Sequence, residues 1–178
     1  GCRVQLLFIP TYLNGDDGIF DKPYYELLAG SDISVFPSYY EPWGYTPLES
    51  VAFSVPTITT TLAGFGLWVD HYSDEHPGVA VVNRTESNDK EVVAEIAEWI
   101  HRYSIMDRKE YEEHRQNAHE ISELALWDNL IEFYVKAYQK ALDSVSFRTQ
   151  RAVFDGGAAN EQITFLRQQL ERTHPNWT

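Results

Sequence analysis

The chain has 178 residues, 43% hydrophobic and 14% aromatic, which excludes a disordered polymer and suits one compact domain with a buried core. Its 14 Lys and Arg against 27 Asp and Glu leave a net charge of −13, a field that repels nucleic acid and anionic membranes. The single cysteine, Cys2, excludes an internal disulfide, and no Cys/His cluster has metal-ligand spacing, so no metal site is expected.

Val4 to Ile9 is predicted as a buried strand, and it is too short for a signal segment or a membrane span. The start at Gly1-Cys2, without Met, reads as an excised piece of a larger protein. After a loop at Asn14 to Gly18, Asp21 is expected to cap a short helix from Pro23 to Ala29, closed by Gly30. Ile33, Val35 and Phe36, bounded by Asp32 and Pro37, suit a strand inside an α/β sheet.

Pro42 and Gly44 punctuate the loop that follows. Thr46 is the expected N-cap of the next helix, Pro47 its first residue and Glu49 the capping-box partner, with Ser54-Val55-Pro56 as the stop. The β-branched run Thr57 to Thr61 is the next strand, which makes a βαβ unit. A helix starting at the carboxyl end of a strand in an open α/β sheet is where ligands bind, and its unpaired amides suit phosphate.

Gly64-Phe65-Gly66 reads as a turn at a second carboxyl strand end, followed by a short helix from Leu67 to His71 and a polar loop through Pro77. His71 and His76 are expected on the solvent side. A strand at Val79 to Val82 precedes three helices, Glu91 to Tyr103, Asp107 to Leu124 and Trp127 to Leu142. The first carries Val92, Ile96, Trp99, Ile100 and Tyr103 at core spacing, the third Leu130, Ile131, Tyr134, Ala137, Tyr138 and Ala141. Residues 1–142 are thus assigned to one domain; 143–178 comprise an irregular linker, Val153 to Gly157, and a helix from Asn160 to Arg172.

Each residue of the central stretch has an ordinary reading. Glu49 serves as a helix cap, Tyr39, Tyr40, Trp43 and Tyr45 as core or rim aromatics, and Glu41 as a loop acid. Taken together, two carboxylates framing a loop at a helix start suggest carbohydrate chemistry.

As one string, Tyr39-Tyr40-Glu41-Pro42-Trp43-Gly44-Tyr45-Thr46-Pro47 followed by Glu49, with Gly64-Phe65-Gly66 beyond it, resembles the glycogen synthases of the animal and fungal type. The resemblance implies the C-terminal half of a GT-B fold, a Rossmann-like parallel sheet flanked by helices with a helical C-terminal extension. It also implies a missing N-terminal GT-B domain, a cytoplasmic setting and no cofactor beyond the substrate, UDP-glucose or ADP-glucose. The reaction implied is retaining transfer of glucose to the non-reducing end of an α-1,4-glucan such as glycogen, with the isolated fragment inactive and a homo-oligomer among the open states.

By the same resemblance, Glu41 is the catalytic residue, Trp43, Gly44, Tyr45 and Thr46 present the loop and helix start to glucose and diphosphate, and Glu49 binds the ribose hydroxyls. Tyr24 matches the residue that stacks on the donor base; its alternative is the packed face of its helix. Residues 1–83 hold only Arg3 and Lys22 as cations, so the charges that neutralise a diphosphate are expected upstream. Two alternatives stay open: another retaining GT-B enzyme, of the trehalose- or sucrose-forming type, and a noncatalytic nucleotide- or glucan-binding module.

Activation by glucose 6-phosphate in the eukaryotic members uses a helix dense in arginine. The corresponding region here, Arg108, Lys109, His114 and Arg115, is diluted by Asp107, Glu110, Glu112 and Glu113, whose charges cancel the local field. Little or no activation is therefore expected when the sugar phosphate is added to a glucose-transfer assay of the full-length protein. A tenfold or larger increase, about 1.4 kcal/mol, would contradict this.

Overall fold

The computed structural model describes residues 4–72, 76–151 and 157–173. The chain forms two compact units, Gly1–Leu124 and Ala125–Thr178. In the first, the order is α1 (Tyr24–Ala29), β1 (Ser34–Val35), α2 (Tyr45–Ala52), β2 (Thr57–Thr60), α3 (Gly64–Tyr72), β3 (Val79–Val82), α4 (Asp89–Ile105) and α5 (Arg108–Leu124). The second contains α6 (Trp127–Arg151) and α7 (Gly157–Thr173).

Among the described residues the three strands form one parallel sheet in the order β1-β2-β3, with Ser34 opposite Thr57 and Thr57 opposite Val79. Alternation along the strands sends Val79 and Val81 to a core shared with Val51, Phe65, Val69 and Ala118 of α2, α3 and α5. Ile58, Ala80 and Val82 point the other way, onto Val92, Ile96 and Trp99 of α4. A parallel sheet covered on both faces by helices is the α/β architecture that the sequence predicts.

The polar strand β2 survives full burial because its hydroxyls find acceptors. Thr57 Oγ1 donates to Val55 O at 2.9 Å, and Ser34 Oγ lies 2.6 Å from Ser50 Oγ and 2.9 Å from Thr57 Oγ1, which ties β1, α2 and β2 together. Thr59 Oγ1 alone of these stays without a partner.

Several expectations need correction. Val4 to Ile9 is not a strand: none of the three strands pairs with it, Val4 and Leu6 are 95% exposed, and an extended run without a ladder partner leaves its amides to water. Asp21 does not cap α1; its Oδ1 accepts the Gly18 amide at 2.8 Å and closes the preceding loop. His76 is half-buried rather than solvent-facing, because its Nδ1 lies 2.8 Å from Val79 O. Ile100 is exposed, rotated off the face of α4 that carries Val92, Ile96 and Tyr103.

α6 runs past the expected end at Leu142 to Arg151, and α7 starts at Gly157, three residues before the expected Asn160. Residues 152–156, which include Val153 to Gly156 of the expected linker, lie outside the described residues, and its last residue, Gly157, is helical. In α6 the expected core stripe is half-buried at Leu130 and Ile131 and exposed at Tyr134, Ala137, Tyr138 and Ala141, where Trp127, Tyr134 and Tyr138 meet at tilted ring angles along the helix. Arg167 of α7 bonds Asp143 of α6 at 2.9 Å within this unit.

α5 meets the sheet through Gly78 and His114. Gly78 sits at φ +92°, and a Cβ there would lie 2.3 Å from His114 O, so the backbones touch directly. His114 Nδ1 takes the Gly78 amide at 3.1 Å and lies 2.9 Å from the Tyr103 hydroxyl. The Gly78 amide needs an unprotonated Nδ1 as its acceptor, and burial, with Arg102 nearby, holds the His114 pKa below the usual histidine value against the smaller pull of Glu110 and Glu113.

A histidine held neutral in the fold binds fewer protons than in the unfolded chain. Stability from this site is therefore complete above the ordinary pKa of about 6.5 and is lost as pH falls below it. Thermal melts between pH 7.5 and 5.5 should show a steeper loss for the wild-type chain than for His114→Gln, which keeps an acceptor but does not titrate. Parallel curves would disprove the coupling.

Candidate functional site

The loop after β1 is sewn to the segment after β2. The Phe36 amide bonds Ile58 O at 2.8 Å, Thr60 Oγ1 donates to Ser38 O at 2.8 Å, and the Glu41 amide bonds Leu62 O at 3.1 Å. The return bonds run from the first amides of α3: Gly64 N–H donates to Glu41 O and Phe65 N–H to Trp43 O. A helix start has amides without intrahelical acceptors, and here the carbonyls of the Glu41 loop supply them.

This contact explains the two glycines. A Cβ on Gly64 would lie 2.2 Å from Pro42 O, and one on Gly66 would lie 2.3 Å from Thr60 O. Gly64-Phe65-Gly66 is thus the first turn of α3 rather than a free turn, and the helix starts three residues before the predicted Leu67. Phe65 points into the core, where Trp43 meets it edge-on at 6.1 Å and packs on Trp68 at 5.9 Å. The Trp43 side chain anchors the loop from beneath.

The start of α2 also differs from expectation. Gly44, not Thr46, is the N-cap, in a left-handed conformation at φ +108° that a glycine adopts without strain. Tyr45 opens the helix, Thr46 and Pro47 follow inside its first turn, and no side chain caps it. Glu49 is accordingly too far along the helix for a capping box. Its Oε1 instead accepts the Tyr25 hydroxyl at 3.0 Å.

That bond draws α1 to α2. Tyr25 stacks on Phe53 at 5.5 Å and meets Tyr24 edge-on at 5.3 Å. Burial, with the charge of Glu49, raises the half-buried Tyr24 phenol above its ordinary pKa, and the Glu49 hydrogen bond does the same for Tyr25. Tyr24, Tyr25 and Glu49 therefore form one patch. Glu41 and Gly44 form another, because a Cβ on Gly44 would lie 3.5 Å from Glu41 Oε2. Tyr45 and Thr46 are exposed between them on the opening turn of α2.

Sequence reasoning missed three side chains here. Tyr25, next to Tyr24 in the chain, holds Glu49. Ser38 Oγ donates to Glu41 Oε2 at 3.1 Å, the polar contact on that carboxylate within its own loop. Arg84 stands one residue beyond the cation-poor stretch 1–83, and β3 delivers it to the same carboxyl edge of the sheet. It is 7% exposed, donates from Nη1 to Pro37 O at 2.7 Å and from Nη2 to Asp89 Oδ1 at 2.9 Å, and lies 3.4 Å above the Tyr39 ring. Its signal in the sequence was position alone, directly after a buried strand.

Among the described residues no group of three or more His, Cys, Asp or Glu could hold a metal ion, and no helix is long and apolar enough to cross a membrane.

A family model described as glycogen synthase matches residues 1–175. Glycogen [starch] synthase isoform 2 of Saccharomyces cerevisiae is 34% identical over 144 residues, 79% of this chain and 20% of that protein. The glycogen [starch] synthase of Neurospora crassa is 30% identical over 172 residues, 96% of this chain and 24% of that protein. That of Caenorhabditis elegans is 32% identical over 143 residues, 79% of this chain and 21% of that protein. The chain spans between a fifth and a quarter of the length of these relatives.

The glycine geometry makes a sharp contrast testable. Gly64→Ala should destabilise the chain by about 3 kcal/mol, since its methyl group drives into the Pro42 carbonyl. Gly30→Ala, at φ −89° with its nearest neighbour 3.5 Å away, should be neutral or gain about 0.5 kcal/mol. Urea denaturation of both variants measures the difference, and equal midpoints would refute the close approach.

Proposed function

The chain belongs to the glycogen synthase family, and from that premise we propose that it carries the donor half of the active site of a retaining glucosyltransferase. The substrates are a nucleotide-glucose and the non-reducing end of an α-glucan. The acceptor is met by a further domain outside this chain, and the reaction runs in the cytoplasm. The observation that carries the reading is the Glu41 loop locked between two helix starts, one consumed by the loop and the other left uncapped.

The uncapped amides of Tyr45 and Thr46 at the start of α2 face an anion with the positive end of the helix dipole, which suits the donor diphosphate. Gly44 lets the backbone turn beneath the phosphate without a side chain in the way. Glu49, steadied by Tyr25, sits one turn further on to take the ribose hydroxyls, and Tyr24 beside it offers its ring to the base. The donor thus lies along α2 with its glucose toward Glu41.

Glu41 then faces the carbon whose positive charge grows as the glycosidic bond to phosphate breaks. A fixed carboxylate stabilises that charge more in the transition state than in the ground state. The acceptor hydroxyl attacks on the face the phosphate leaves, and the departing phosphate takes its proton. No glycosyl-enzyme bond forms, so the carboxylate-spacing rules for hydrolases do not govern this site.

The structure also bears on regulation. On α5, Lys109 lies 3.5 Å from Glu113 and Arg115 lies 3.6 Å from Glu112, while the Arg115 Nε bonds Ser54 O. Cations engaged in this way leave little field for a sugar phosphate, which supports the expected absence of strong activation.

Glu41→Gln in the full-length protein should lower kcat at least ~100-fold, the scale of losing one preorganised electrostatic contact. Glu49→Gln should mainly raise the KM for the nucleotide-glucose. Steady-state transfer of radiolabelled glucose onto glycogen measures both, and unchanged turnover in the Glu41 variant would remove that residue from the chemistry.

A further inference from the structure

We propose that Ser38 is a positioning residue for the Glu41 carboxylate, and that the buried Arg84 sets its aim by clamping both neighbours of Ser38. The inference rests on the assignment of Glu41 above.

A carboxylate on a loop rotates about its side-chain bonds unless something holds it. Ser38 Oγ, 3.1 Å from Oε2, is placed to do so, leaving the other oxygen to face the sugar. Ser38 has little freedom of its own. Its amide donates to Phe36 O at 2.8 Å and its carbonyl accepts from Thr60 Oγ1 at 2.8 Å.

On one side of Ser38, the Pro37 carbonyl takes Arg84 Nη1; on the other, the Tyr39 ring lies under the guanidinium. The Tyr39 hydroxyl and Arg84 Nη2 meet on Asp89 Oδ1, at 3.0 and 2.9 Å, which closes the clamp. The planar fork of arginine serves two acceptors at once while stacking on a ring, which lysine cannot reproduce.

The clamp is an inefficient way to stabilise a fold. Arg84 is a buried cation whose Nε has no hydrogen-bond partner, and a buried charge with unmet donors costs more than an apolar side chain of the same size. What it secures is geometry at the residue that touches Glu41. Small errors of position matter there, because a misplacement of about 1 Å can cost about 100-fold in rate.

The test uses the full-length protein with Ser38→Ala, Ser38→Thr, Arg84→Lys, Glu41→Gln and the double variant Ser38→Ala/Glu41→Gln. Transfer of radiolabelled glucose gives kcat and donor KM, and thermal melts report folding. Ser38→Ala should lower kcat about tenfold with donor KM and melting temperature little changed, as for loss of one hydrogen bond to a charged group. Ser38→Thr should restore the rate, and Arg84→Lys should reproduce the kcat loss.

In the Glu41→Gln background, Ser38→Ala should cost nothing further, since the carboxylate it aims is gone. A normal kcat in Ser38→Ala alongside an impaired Glu41→Gln would overturn this inference and leave the Glu41 assignment standing. An equal Ser38→Ala loss in both backgrounds would likewise overturn it, by showing a merely structural role. Full activity in Glu41→Gln would instead defeat the assignment beneath it. If Arg84→Lys does not fold, the Ser38 comparisons decide the matter.

Discussion

The structure turns on two hydrogen bonds, from the first amides of α3 to the carbonyls of Glu41 and Trp43. A helix start needs acceptors, and a loop carrying a carboxylate needs a fixed backbone; each supplies what the other lacks. The contact is possible only because Gly64 and Gly66 bring no side chain against Pro42 and Thr60. Once it forms, Trp43 is carried onto Phe65 and Trp68, and the loop shares the main core. Position of the acid and packing of the domain are therefore one arrangement.

The two helix starts beside this loop are used in opposite ways. That of α3 is spent on protein carbonyls, so its dipole holds the loop in place. That of α2 follows a left-handed glycine and has no side-chain cap. The same structural motif thus serves as a scaffold on one side and, on the proposed reading, as the donor-binding surface on the other.

What the sequence made legible was the order of short buried runs and helices of an α/β sheet. The runs Thr57 to Thr61 and Val79 to Val82 announce buried strands, and the string around Glu41 announces the family. Cap positions were not legible, because Thr46-Pro47 satisfies every local rule for a helix start while Gly44 takes the role through a backbone angle the sequence does not print. Val4 to Ile9 reads as a strand by composition, yet a strand exists only with a partner. Arg84 and Ser38 escaped because their importance lies in contacts across distant parts of the chain. Tyr24 and Glu49 were paired by resemblance, but the bond that draws their helices together comes from Tyr25.

The bonds that fix the loop span long stretches of chain: Thr60 to Ser38 crosses 22 residues, Arg84 to Pro37 crosses 47 and Tyr39 to Asp89 crosses 50. Contacts of that span close only after the intervening segments have lost their freedom. The helices rest on local interactions, whereas the bonds that fix the loop need β1, β2 and the segment after β3 all in place, so the aim of the acid is the part of the fold that no local stretch can build alone. A helical signal in solution therefore reports the local part of this fold and is silent on the long-range bonds that hold the loop.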